Sequence, residues 1–161
     1  MFVGIVNKMT EEEIAWDLTG MFSSPKDPVI NRKIEETREK TKKFVEKYQG
    51  KINAEDFGAK EIKGLLEELE EIMREFDRVE TFGFLSFSAN MTVPENQQIY
   101  NTAKEVGAEL DKNLTFVDLE LGKRVHEKKE LIDEPILEKY KHYLEKLMRK
   151  VLISYRRRKS K

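Results

Sequence analysis

Ile62-Lys63-Gly64-Leu65-Leu66-Glu67-Glu68-Leu69-Glu70-Glu71-Ile72-Met73-Arg74-Glu75-Phe76-Asp77-Arg78-Val79 decides the fold. Its apolar residues, Ile62, Leu65, Leu66, Leu69, Ile72, Met73, Phe76 and Val79, return every three or four positions and so share one face of a helix. Charged residues fill the other face, where several can pair at i,i+4. A strand would need strict alternation, which is absent. Asn53 is a candidate cap for this helix. Gly58 and Gly64 weaken the early part of the pattern, and Ala59 is the alternative start.

Upstream, Asp27-Pro28 reads as an N-cap followed by proline at the first helical position. Ile30, Ile34, Thr37, Thr41, Phe44, Val45 and Tyr48 form the next stripe, and Gly50 is a plausible stop. Downstream, Phe82, Phe84, Leu85 and Phe87 alternate irregularly with Gly83, Ser86, Ser88 and Ala89. Helix and strand both fit this segment, and we favour a helix packed on most sides, its small residues admitting close neighbours.

Thr92-Val93-Pro94-Glu95 starts another helix, with Ile99, Tyr100, Ala103, Val106, Leu110, Leu114, Val117, Leu121 and Val125 on its stripe. Asp133-Glu134-Pro135 starts the last, which carries Leu137, Tyr140, Leu144, Leu147, Val151 and Tyr155. Short connections favour antiparallel neighbours. The expected fold is all-α, an elongated antiparallel bundle of about five long helices. Such a bundle exposes apolar stripes unless it pairs, so self-association is expected.

The 161 residues suit one domain with a core. Charged residues make up 38% and apolar residues 39%, a composition that suits a soluble chain. The 30 Lys and Arg nearly balance 31 Asp and Glu, which argues against a general nucleic-acid binder. Cysteine is absent, which excludes disulfides, thiol nucleophiles and thiolate metal sites, and fits a cytoplasmic location. No apolar run is long enough to span a membrane. The Glu- and Lys-rich surface, with few glutamines, is thermophile-like. Residues 1–13 are expected to be a flexible or wrongly assigned extension, of which residues 1–8 would come from a start codon upstream of a true start at Met9. Residues 14–155 form the helical domain, and 156–161 form a basic tail.

Several segments together resemble the N-terminal helical domain of the oligoendopeptidase F family, the thimet-type zinc oligopeptidases. They are Trp16-Asp17-Leu18 through Phe22, Asp27-Pro28 and its helix to Ile52, Thr81 to Asn90 with Pro94-Glu95-Asn96-Gln97, Leu110 to Leu121, and Tyr140-Lys141-His142-Tyr143-Leu144-Glu145. They cover most of residues 14–150 in the family's order. The resemblance implies long helices that wall or cover a peptide cleft. Family members hydrolyse oligopeptides through His-Glu-x-x-His and a distant Glu, beyond the region matched here. The chain's two histidines, His126 and His142, are too far apart in sequence to form that motif, so no catalytic residue carries over.

His126-Glu127-Lys128-Lys129-Glu130 is the tempting substitute, since His126 and Glu130 share a face if the segment is helical. A zinc site needs three or more converging ligands, and the Lys-rich setting favours a solvated helix end with charge pairing. We expect neither metal nor cofactor. His142, beside Tyr140, Tyr143, Glu138 and Glu145, reads as a surface histidine. Trp16 is expected to staple the N-terminal segment, with Asp17 beside it, to the bundle. Phe82, Phe84 and Phe87 read first as core. If a catalytic domain normally covers part of that cluster, its exposed remainder becomes a dimer face.

The function expected is therefore a non-catalytic helical domain for protein or peptide interaction. Its partner is either another copy or a separately encoded zinc peptidase chain, of which this would be half of a split enzyme. A small dimeric nucleic-acid-associated bundle using Arg156–Lys161 is the third reading, disfavoured by the near-neutral charge. A decayed gene product is the fourth.

Overall fold

The computed structural model describes residues 17–159, with side chains described through residue 153. Trp16 and the extension expected at residues 1–13 lie outside the described residues. So do the side chains of Tyr155 and the basic tail. The described chain contains four α-helices and no strand: α1 Pro28–Tyr48, α2 Ala59–Ala89, α3 Pro94–Glu127 and α4 Lys141–Lys159. Two short 3-10 turns, Lys129–Asp133 and Pro135–Tyr140, lie between α3 and α4.

Local chemistry explains the boundaries. Asp27 caps α1, its Oδ1 accepting the Val29 amide at 2.9 Å, and Pro28 occupies the first helical position. Gly50 then takes the left-handed φ of 79° that turns the chain. Asn53 does not cap α2, because turns intervene that bury Ile52 and Phe57. The helix starts at Ala59 instead, and the Glu61 carboxylate accepts the Gly58 amide at 2.9 Å.

The segment 81–91 is helical through Ala89, as favoured over a strand. Residues through Ala89 continue α2, because no proline or cap interrupts the chain after Val79. The expected all-α bundle of about five helices is thus one of four long helices among the described residues. The turn at its end is built by Asn90, whose Oδ1 accepts the Thr92 amide at 3.0 Å and hydroxyl at 2.7 Å. Pro94 opens α3 as expected. The last helix starts at Lys141 rather than near Asp133, the intervening stretch being wound into the two 3-10 turns.

Helices α1, α2 and α3 run up, down and up. Lys40 reaches Glu75 at 2.7 Å across α1–α2, and Lys47 pairs with Glu68. Arg38 reaches Glu109 at 2.9 Å across α1–α3. At about 1.5 Å per residue, α2 and α3 each extend about 45–50 Å, which makes the bundle elongated.

Its core falls into two clusters along that length. Phe22, Ile30, Ile34, Phe76, Val79, Phe82, Ile99, Val106 and Leu110 fill the end near the start of α1. The other cluster centres on Phe44, Ile52, Ile62, Leu65, Phe116, Leu121, Leu137 and Leu144, and Leu114 packs against both. Thr37 and Thr41 lie on the α1 stripe where one cluster gives way to the other. Both are buried, and their hydroxyls each donate at 2.8 Å to the carbonyl four residues earlier, so neither is left unsatisfied.

Candidate functional site

The site begins with a glycine. A Cβ on Gly83 of α2 would lie 3.2 Å from the Ile99 carbonyl oxygen, 3.3 Å from the Ala103 Cβ and 3.4 Å from the Tyr100 Cα. Glycine therefore lets α2 and α3 approach closely here. That approach brings Tyr100 against α2, where its ring stacks on Phe87 with centroids 4.6 Å apart and planes 7° from parallel. Phe82 points into the core and packs edge-on against Phe22 at 5.1 Å. Phe84, two residues on, points the other way and is 55% exposed.

Phe84 borders a groove of about 390 Å³, lined by Glu80, Thr81, Tyr100, Ala103 and Lys104 as well. All six residues belong to α2 and α3, so α1 and α4 leave this side of the helix pair open. The floor is apolar and aromatic. Glu80 stands on the α2 wall and Lys104 on the α3 wall, with the Lys104 ammonium 5.3 Å from the Tyr100 ring centre. A lone exposed phenylalanine is ordinary. One bordering an aromatic groove with charged walls has the composition of a protein-contact surface.

The other sequence candidates are dispersed. Asp17 is exposed, and its Oδ1 accepts the amide and hydroxyl of Thr19 at 3.0 and 2.6 Å. Those bonds, the side-chain one foremost, lower its pKa. The N-terminal segment is held by Phe22 and by Arg78, which donates to the carbonyls of Gly20 and Met21 at 3.0 and 3.1 Å.

Tyr140 and Tyr143 are structural fasteners. The Tyr140 hydroxyl donates to Glu70 at 3.1 Å, which also receives Lys139 at 2.6 Å, tying the second 3-10 turn to α2. Tyr143 donates to Asp118 at 2.8 Å, tying α4 to α3. Burial, and then the Asp118 carboxylate, push the Tyr143 phenol well above its ordinary pKa.

His126 and Glu130 do not share a helical face. Helix α3 ends at Glu127 and the chain turns into a 3-10 winding at Lys129, with Glu130 exposed. Lys123 and Glu127 form the i,i+4 pair of this helix end at 3.9 Å. No group of three or more His, Cys, Asp or Glu side chains able to hold a metal occurs among the described residues. His142 is exposed. No described helix is long and apolar enough to cross a membrane.

Sequence reasoning passed over Glu80 and Lys104 because charged helix positions normally face water. Only the antiparallel pairing of α2 and α3 puts them at one level of one groove. It also passed over Arg124, a buried cation whose guanidinium donates to the Phe57 carbonyl at 2.7 and 3.1 Å and to the Glu55 carbonyl at 3.3 Å.

No protein-family model matches the chain, and no curated protein or solved structure shows significant similarity to it. The resemblance to the oligoendopeptidase F family rests on the segments quoted above.

Proposed function

We propose that this protein is a non-catalytic interaction domain, similar to the N-terminal helical domain of the oligoendopeptidase F family, that meets a protein partner through the α2–α3 groove. The observation that carries the reading is the outward Phe84 beside the Phe87–Tyr100 stack, on a side of the bundle that no other described helix covers. Burying a large aromatic side chain contributes roughly 1.5–3 kcal/mol, so an association that covers Phe84 has a substantial driving force. The ordered run of long helices fits the wall-or-cover role that the family resemblance implies.

The test is solution mass by light scattering, for the purified chain alone and mixed with the catalytic region of an oligoendopeptidase F-type enzyme. Cleavage of an oligopeptide with zinc present is followed in both samples. A larger particle in either sample, lost on Phe84→Ser, supports an interaction domain. Monomers in both samples overturn it. Zinc-dependent cleavage by the chain alone overturns the non-catalytic part of the reading.

A further inference from the structure

Resting on that interaction reading, we infer that the α2–α3 groove is closed by a second copy of the same chain, related by a two-fold axis that runs along the groove. The walls of the groove are antiparallel, and the approach of Gly83 to Tyr100 and Ala103 sets the helical positions of Glu80 on α2 and Lys104 on α3 at about the same height, within reach of each other's side chains in a facing copy. A two-fold axis parallel to the helices and lying in the contact plane sets α2 of one copy over α3 of the other without changing height. Glu80 then faces Lys104 of the second copy, and Lys104 faces its Glu80. Phe84 comes over Tyr100 and Ala103 of the second copy in the same operation, where the groove of about 390 Å³ has room for a ring.

The competing two-fold axis, running across the groove, stacks α2 on α2 and α3 on α3. It sets each charge over its own helix type and makes no Glu80–Lys104 pair. Charge thus selects one arrangement out of two, as an isologous contact requires of a self-complementary patch. The product is a four-helix layer of α2 and α3 from each copy, in which every facing pair is antiparallel. A different protein would have to bring its own reversed pattern of charge and aromatic bulk. A second copy already carries it.

The experiment is light scattering of the full chain over a dilution series, with three charge variants checked for unchanged helicity by circular dichroism. The wild type is expected at twice the 19.0 kDa chain mass. Glu80→Lys and Lys104→Glu each put like charges face to face and raise the dimer dissociation constant at least about tenfold. The double variant Glu80→Lys/Lys104→Glu restores opposite charges and recovers the wild-type constant to within about threefold. A wild-type monomer at every concentration overturns the proposal. So does a dimer indifferent to all three variants, or single-variant losses that the double variant does not rescue. A chain that is monomeric alone yet joins the peptidase catalytic region through Phe84 overturns the second-copy proposal and leaves the interaction reading standing.

Discussion

The ring of Phe87 on α2 lies flat against that of Tyr100 on α3, 4.6 Å between centroids and 7° from parallel. One residue pair thus joins the two longest helices and forms one edge of the aromatic surface that Phe84 presents. The two phenylalanines have separable roles. Phe87→Leu keeps apolar bulk but loses the stack, and is expected to cost about 0.5–1.5 kcal/mol of folding stability. Phe84→Ser, at an exposed position, is expected to stay within about 0.5 kcal/mol of wild type when the chain is monomeric. Urea denaturation at high dilution measures both. A larger loss for Phe84→Ser than for Phe87→Leu contradicts the assignment.

Gly83 is expected to tolerate no branched side chain. Its nearest neighbours are mostly the backbone of α3, which cannot swing aside. Gly83→Val should force the helices apart and cost roughly 1–3 kcal/mol, and it should disrupt the Phe87–Tyr100 stack. The near-ultraviolet circular dichroism of the tyrosines, with the denaturation midpoint, reports both effects. A midpoint equal to wild type speaks against the close crossing.

Two other glycines should respond to alanine with opposite signs. Neither has a neighbour that a Cβ would touch within 4 Å. Gly50 has φ of 79°, so Gly50→Ala forces an L-residue into the left-handed region and costs about 1–2 kcal/mol. Gly64 lies inside α2, so Gly64→Ala gains up to about 1 kcal/mol from helix propensity. Melting temperatures of the two variants should fall on either side of wild type.

Arg124 should not be replaceable by lysine. Its planar fork reaches two carbonyls of the α1–α2 connection, and a lysine ammonium cannot reproduce that geometry. Arg124→Lys is expected to cost about 1–3 kcal/mol and to speed amide exchange between residues 50 and 58. Unchanged exchange there would show that the connection is held by its buried Ile52 and Phe57 alone.

Alkaline pH should loosen α4. The Tyr143 phenol has a raised pKa in the fold, through burial first and the Asp118 carboxylate second. The folded state therefore retains a proton that the unfolded chain gives up near pH 10. This contribution is fully present below about pH 10 and declines as pH rises beyond it. Tyr48 and Tyr140 shift in the same direction, also mainly through burial, so Tyr143→Phe should flatten the alkaline limb of stability without abolishing it. Thermal melts from pH 8 to about pH 11 compare the two chains, and parallel curves would count against Tyr143.

The helices themselves were legible in the sequence, because a period of three to four apolar residues answers to one geometry. Asp27-Pro28, Gly50 and Pro94 marked boundaries for reasons as local as a cap, a left-handed turn and a missing amide. Residues 81–91 were harder. Once Phe, Gly and Ser interleave, hydrophobicity no longer says which side is covered, and only the α2–α3 crossing at Gly83 sends Phe82 inward and Phe84 out. His126 and Glu130 looked adjacent on an assumed helix, but the chain changes winding between them. The burial of Arg124 was invisible, because the carbonyls that accept from it lie more than sixty residues away in sequence. The sequence by itself determined that these segments are helical and, outside residues 81–91, which face each buries, since those follow from contacts within a few residues. The tertiary structure alone decided which face stays open and which charges share a groove, since those depend on how distant helices cross.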